Sequence, residues 1–148
     1  PSSAVLVGTL RTLSGEVREI AKTRIREMSE RVAAAFGATA EVEIEEGYPI
    51  LRNDPDTTAF LGRTLRAEWG EEPVKDLPPI MASEDFAYYL EQVRGTQFRL
   101  GCGNVERGIT HSMHTSRFDI DEDVLPFGVA VFAYLIREYL KRAQETDA

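Results

Sequence analysis

Early in the chain the apolar period changes twice, and that change limits the fold more than any other feature. From Val17 onward, Val17, Ile20, Ala21, Ile25, Met28, Val32, Ala35 and Phe36 recur at three- and four-residue steps. That spacing gathers them into one stripe on a helix of about 20 residues. Ser14 stands where an N-cap hydroxyl would accept a backbone N–H, and Gly37 where a left-handed residue would end the helix. The stretch ATAEVEIEE then sets Ala40, Val42 and Ile44 against Glu41, Glu43 and Glu45, which predicts a strand with one wet face. Ahead of the helix, AVLVGTLRT at residues 4–12 is rich in β-branched residues and ends at a Ser-Gly break, so it too predicts a strand. The resulting strand-helix-strand unit carries a helix stripe and a sheet face with little else to cover them. It reads as half of a small α+β domain.

Further along, Asp54 followed by Pro55 is a strong helix start, and Phe60, Leu61, Leu65 and Trp69 carry that helix to Gly70. EEPVKDLPPI follows as a Pro-rich loop placed on the surface. In MASEDFAYYLEQV, Ser83 is the expected N-cap, with Glu84 and Asp85 in a first turn where the helix dipole favours acids. TQFRLGCG, residues 96–103, predicts a short strand, and its glycines suggest close approach of backbone. The final helix has its stripe at Phe127, Val131, Phe132, Leu135, Ile136, Tyr139 and Leu140. Pro126 suits its first turn, after a turn capped by Asp121. Only the tail KRAQETDA is expected to be disordered.

At 148 residues, with 43% apolar and 28% charged side chains, the chain has the length and composition of a soluble domain with a real core. Its 17 Lys and Arg against 25 Asp and Glu leave a net charge of -8. That charge repels a phosphate backbone, so nucleic acid is not an expected partner. No GxGxxG or GxxxxGK[ST] pattern follows a strand, which removes phosphate cradles. The single cysteine, Cys102, can form no intrachain disulfide. With no signal-peptide pattern and no run of about 20 apolar residues, no membrane is expected and a cytoplasmic location is the default.

The chemistry-bearing residues are few. HSMHTSRFDIDED holds both histidines, His111 and His114, and neutral imidazole is a common ligand for zinc and similar ions. Two histidines in a polar loop also fit plain solvation. A mononuclear site of Cys102, His111 and His114 is a further option, although a thiolate nine residues before the first histidine matches no common structural zinc spacing. Arg11 lies among small and apolar neighbours in GTLRT; it fits a surface ion pair or a planar fork gripping a substrate carboxylate.

Taken in order, GTLRT, RIREMSERVAAAFGATAEVEIEEGYPILRNDP, ASEDFAYYLEQVRGTQFRLGCG and HTSRFDIDEDVLPFGVAVF resemble the C-terminal part of the hippurate hydrolase-like amidohydrolases. These belong to the aminoacylase and carboxypeptidase G group of dinuclear metallopeptidases. The resemblance implies an α/β fold in which a catalytic domain with a mixed sheet is interrupted by a ferredoxin-like lid. Residues 1–48 would be the second half of the lid and its dimer contact, and 49–148 the closing part of the catalytic domain. It implies an enzyme that hydrolyses the amide of N-acyl amino acids with metal-activated water, using two divalent ions (Zn, Mn, Co or Ni). His114 matches a metal ligand, Arg11 the residue that holds the substrate carboxylate, and Ala82 and Ser83 the turn lining the pocket. Ala82 stands where the family has glycine, and His111 matches no ligand. The remaining ligands and the general base have no counterpart in this sequence. The alternative is a catalytically incomplete chain acting as a binding or dimerisation module.

Overall fold

A computed structural model describes residues 2–146, which hold four helices: α1 (Gly15–Ala35), α2 (Pro55–Trp69), α3 (Phe86–Gln92) and α4 (Val124–Thr146). They are distributed over two compact units, one of residues 1–53 and 77–94, the other of 54–76 and 95–148.

In the first unit the ends of α1 are set by local chemistry. The Val17 amide donates to the Ser14 hydroxyl at 3.4 Å. At the other end Phe36 is the cap and Gly37 turns left-handed at φ +70°. The Gly37 amide then donates to the Ala34 carbonyl at 3.0 Å and the Ala38 amide to the Ala33 carbonyl at 2.9 Å, a Schellman ending that satisfies carbonyls the helix leaves open. Along α1 the expected stripe is present, yet none of its residues is buried. The segment after it keeps the expected alternation, with Ala40, Val42 and Ile44 half-buried and the three glutamates exposed. Lys22 ties the two pieces together, pairing with Glu19 at 2.7 Å and with Glu46, while the Arg18 guanidinium donates to the Tyr48 carbonyl at 3.3 Å.

Helix α3 starts later than the sequence suggests. Its cap is Asp85, already in the right-handed helical region, and Ser83 lies outside it. The reason lies in the preceding turn, where the Ala87 amide donates to the Glu84 carbonyl and the Tyr88 amide to the Asp85 carbonyl. These three-residue spacings form a tight 3₁₀-like lead-in, which takes over the capping a hydroxyl would otherwise supply. Ala87 is the buried residue of this unit, and Tyr88 meets Tyr48 edge-on at 5.7 Å.

The second unit holds the packed core. Asp54 caps α2, its carboxylate accepting from the Thr57 amide at 2.8 Å and the Thr57 hydroxyl at 2.6 Å, and Pro55 occupies the first turn. Leu65 of α2 packs with Val131 and Leu135 of α4, and Leu61, Trp69, Val74 and Phe98 lie around them. The ring pairs Phe60 with Tyr139, and Trp69 with Phe127 and Tyr134, match the start of α2 to the end of α4, so the two helices run antiparallel. The EEPVKDLPPI stretch is exposed as expected, except that Val74 tucks against the core.

Two expectations are corrected. The segments expected as strands, 4–12, 38–46 and 96–103, form no ladder: among the described residues there is no β-strand, and the isolated antiparallel bridge is Asn104 with Ile109. The mixed sheet and the sheet of the lid are therefore not formed among these residues. A strand needs a facing backbone, whatever its own propensity, and the apolar residues of the first segment are left bare, with Val5, Leu6 and Val7 at 88%, 93% and 93% exposure. The tail expected to be disordered is helical to Thr146; Asp147 and Ala148 lie outside the described residues.

Candidate functional site

The loop carrying both histidines spans 110–120 and is closed at each end by a dedicated element. Before it, Asn104 and Ile109 exchange both backbone hydrogen bonds, at 2.9 and 2.8 Å, across a tight turn. Gly108 supplies the left-handed φ of +75° that this turn requires. The expected close approach of backbone occurs at Gly103, where a Cβ would lie 3.3 Å from the Ile109 carbonyl oxygen, and not at Gly101, which faces open space. After the loop, the Val124 and Leu125 amides donate to the Asp121 and Glu122 carbonyls at 3.0 Å and start α4. Asp121 therefore ends the loop as the sequence suggests.

Within the loop, the Thr115 hydroxyl donates to the Ser112 carbonyl at 3.0 Å and the Phe118 amide to the Thr115 carbonyl at 3.1 Å. Inside the first of these turns sits His114, exposed, with φ +64°. It is the non-glycine residue with positive φ among those described. A left-handed backbone costs an ordinary L-residue roughly 1–2 kcal/mol, and such residues concentrate at binding and catalytic positions. His111 is exposed in ordinary backbone.

Charged groups gather around the ends of this loop. Arg107 reaches Asp121 through Nη1 and Asp123 through Nη2, the latter at 2.7 Å. The Asn104 side-chain amide donates to Asp121 at 2.6 Å, and the Asp123 amide donates to the same carboxylate at 3.2 Å. The Asn104 hydrogen bond, followed by the Asp123 amide and the Arg107 charge, holds the Asp121 carboxyl below its usual range. The carboxylate of Asp123 and then the charge of Asp121 raise the Arg107 guanidinium. Sequence reasoning found Asp121 as a turn residue but missed Asn104 and Arg107. The signal was present only in part: an Arg-Gly turn ahead of the acidic DIDED run suggests ion pairing, without saying which acid pairs with which donor.

The other expected site residues belong to the first unit. Arg11 is exposed in a segment without regular structure and has no ion-pair partner among the described residues. Ala82 and Ser83 are exposed ahead of α3. No hydrogen bond joins Arg11 to either among the described residues. A Cys102, His111 and His114 site is not formed, because among the described residues no group of three or more His, Cys, Asp or Glu could hold a metal ion. A pair of metal ions therefore does not fit the donors of this chain taken alone: His114 offers one imidazole. No described helix is long and apolar enough to cross a membrane.

The chain is 35% identical over 136 residues to thermostable carboxypeptidase 1 of Saccharolobus solfataricus, covering 91% of this chain and 34% of that protein. It is 36% identical over 130 residues to the putative amidohydrolase YhaA of Bacillus subtilis (88% of this chain, 33% of the relative). It is also 34% identical over 128 residues to an N-acetyldiaminopimelate deacetylase of Streptococcus sanguinis (86% and 32%). The chain thus spans about a third of the length of the curated relatives it matches. Residues 3–138 match the model of peptidase family M20/M25/M40, whose peptidases are generally dinuclear metal enzymes. With nearly its whole length inside that match, the chain belongs to peptidase family M20/M25/M40.

Proposed function

We propose that this chain is the C-terminal part of an amidohydrolase that cleaves the amide of N-acyl amino acids of the hippurate type. The observation that carries the proposal is His114, a solvent-facing imidazole in a left-handed backbone on a loop pinned at both ends. In this reading it donates one nitrogen to a divalent metal whose other ligands, and whose general base, come from residues outside this chain. Similarity to proteins named amidohydrolase, carboxypeptidase and deacetylase supports amide hydrolysis as the chemistry. Arg11 grips the free carboxylate of the amino acid through two parallel N–H donors, the geometry a guanidinium provides and an ammonium does not. Ala82 and Ser83 line the pocket beside it. Residues 1–48 form half of a lid that pairs two copies of the protein, 49–148 close the catalytic domain, and the enzyme works in the cytoplasm.

The test is an assay of the full-length protein against a panel of N-acyl amino acids with zinc, manganese, cobalt or nickel. His114→Ala is expected to lower kcat/KM by at least about a hundredfold, the scale on which lost metal ligation or its support is felt. Arg11→Met is expected to raise KM with a smaller effect on kcat. Release of no free amino acid from any substrate with any metal would end the proposal. The second reading, a binding or dimerisation module, is favoured by the lack of a three-donor metal group among the described residues. It predicts a melting temperature that divalent metals leave unchanged, whereas a ligand that binds only the folded state raises it by mass action.

A further inference from the structure

We infer that Arg107, with Asn104 and Asp121, is a positioning device that closes the 110–120 loop and sets the backbone on which His114 stands. The functional importance of this device rests on the reading of His114 as a site residue; its structural part does not.

The geometry carries it. Residues 102–109 and 121–123 are separated in sequence by the whole histidine loop, yet four contacts bring them together. The Asn104 amide group reaches one Asp121 oxygen at 2.6 Å, Arg107 reaches the other, Arg107 continues to Asp123 at 2.7 Å, and the Asp121 amide donates to the Cys102 carbonyl at 2.8 Å. Asp121 is the central group: its side chain is only 14% exposed, against 55% for Arg107 and 75% for Asp123. A carboxylate with both oxygens engaged, one by a neutral amide and one by a guanidinium, has little rotational freedom. The Arg107 amide also donates to the Asn104 side chain at 3.2 Å, so both residues facing Asp121 are held by one turn. Anchoring both ends shortens the set of conformations open to the loop between them, and within that set His114 keeps a φ that an unrestrained histidine seldom adopts. The planar fork of arginine holds its two Nη donors in fixed directions, here one toward Asp121 and one toward Asp123, a directionality that the compact charge of a lysine lacks.

The chain has two histidines, so a histidine-labelled carbon-proton correlation spectrum contains two sets of signals, one from His111 and one from His114. In the wild-type chain the His114 Cα and Cβ shifts should be those of left-handed backbone. In Arg107→Ala and Asp121→Asn the His114 signals should move toward random-coil values, and amide exchange across 110–120 should become on the order of tenfold faster. Over the same comparison, any fall of protection in α2 and α4 should be much smaller than that across 110–120. Arg107→Lys should recover only part of the wild-type signature. The inference is overturned by random-coil His114 shifts in the wild type or by unmoved His114 signals in both Arg107→Ala and Asp121→Asn. Loss of α2 and α4 protection in Arg107→Ala would also overturn it, because the network would then support the whole unit and not the loop. In the full-length protein, a His114→Ala variant with unchanged kcat/KM would sink the functional reading alone and leave these spectra as they are.

Discussion

At the scale of single residues, His114 shows how conformation and chemistry can be separated. Its backbone lies in the left-handed region at φ +64°, which asparagine tolerates and β-branched residues do not. His114→Val is therefore expected to lower the stability of the second unit by roughly 1–2 kcal/mol relative to His114→Asn, read from urea midpoints. Both variants remove the imidazole and should be equally inactive if it is a ligand. Asp54 is a simpler case, since its carboxylate accepts from both the amide and the hydroxyl of Thr57. Replacing it with alanine should cost about 1 kcal/mol of stability in the same titration. The Asp54-Pro55 start was legible because an N-cap acts within one turn. The start of α3 is less legible, since Ser83 and Asp85 can each cap, and only the tight turn between Glu84 and Tyr88 selects Asp85.

At the scale of elements, the helices divide by whether their apolar faces are used. In α4, Val131 and Leu135 are buried at 3% and 8% exposure, while Phe132, Ile136 and Leu140 remain 56–59% exposed. One side of the helix thus carries the contact with α2. Leu135→Ala should destabilise the second unit by about 2–5 kcal/mol, the range for truncating a packed leucine. Ile136→Ala, one residue along on the open side, should stay within about 0.5 kcal/mol. Differential scanning calorimetry of the two variants separates the faces directly. In α1 the spacing places the stripe on one face, but periodicity specifies only that a face exists. Whether that face is covered depends on what packs there, and among the described residues of α1 none is buried.

At the scale of the whole molecule, acid stability follows from three carboxylates. Asp121 is held below its usual range chiefly by the Asn104 hydrogen bond, Glu46 by its hydrogen bond from Lys22, and Glu138 by those from Lys141 and Arg137. A carboxylate that ionises more easily in the folded state stabilises the fold above its unfolded pKa. That contribution is lost as pH falls through the lower folded value. Lys22 works in the opposite sense: Glu19 and then Glu46 raise it, so its contribution is complete below its unfolded pKa and is lost only as pH climbs through the raised folded value. Melting temperature should therefore hold between those limits and fall on acidification below the usual carboxylate range. Asp121→Asn should flatten that acid limb more than Glu46→Gln, because Asp121 is the better shielded of the two from solvent screening. An acid limb identical in both variants and wild type would show that other groups control it.

What the sequence determined by itself was most of what is decided within a few residues: the caps at Ser14 and Asp54, the glycine ending of α1, the apolar stripes, the exposed Pro-rich loop and the placing of His114 in a polar loop ahead of an acidic turn. The motifs also pointed to the family, because order and identity along a chain survive without knowledge of its contacts. Only the tertiary structure decided the rest. It paired α2 with α4 along one face, joined Asn104 and Arg107 to Asp121 across the histidine loop, and left the expected strands without ladders. Each of these depends on groups far apart in sequence meeting in space. Propensity and period describe what a segment can offer, while hydrogen bonds between strands, burial of a face and selection of one ion pair among several depend on the partner that arrives.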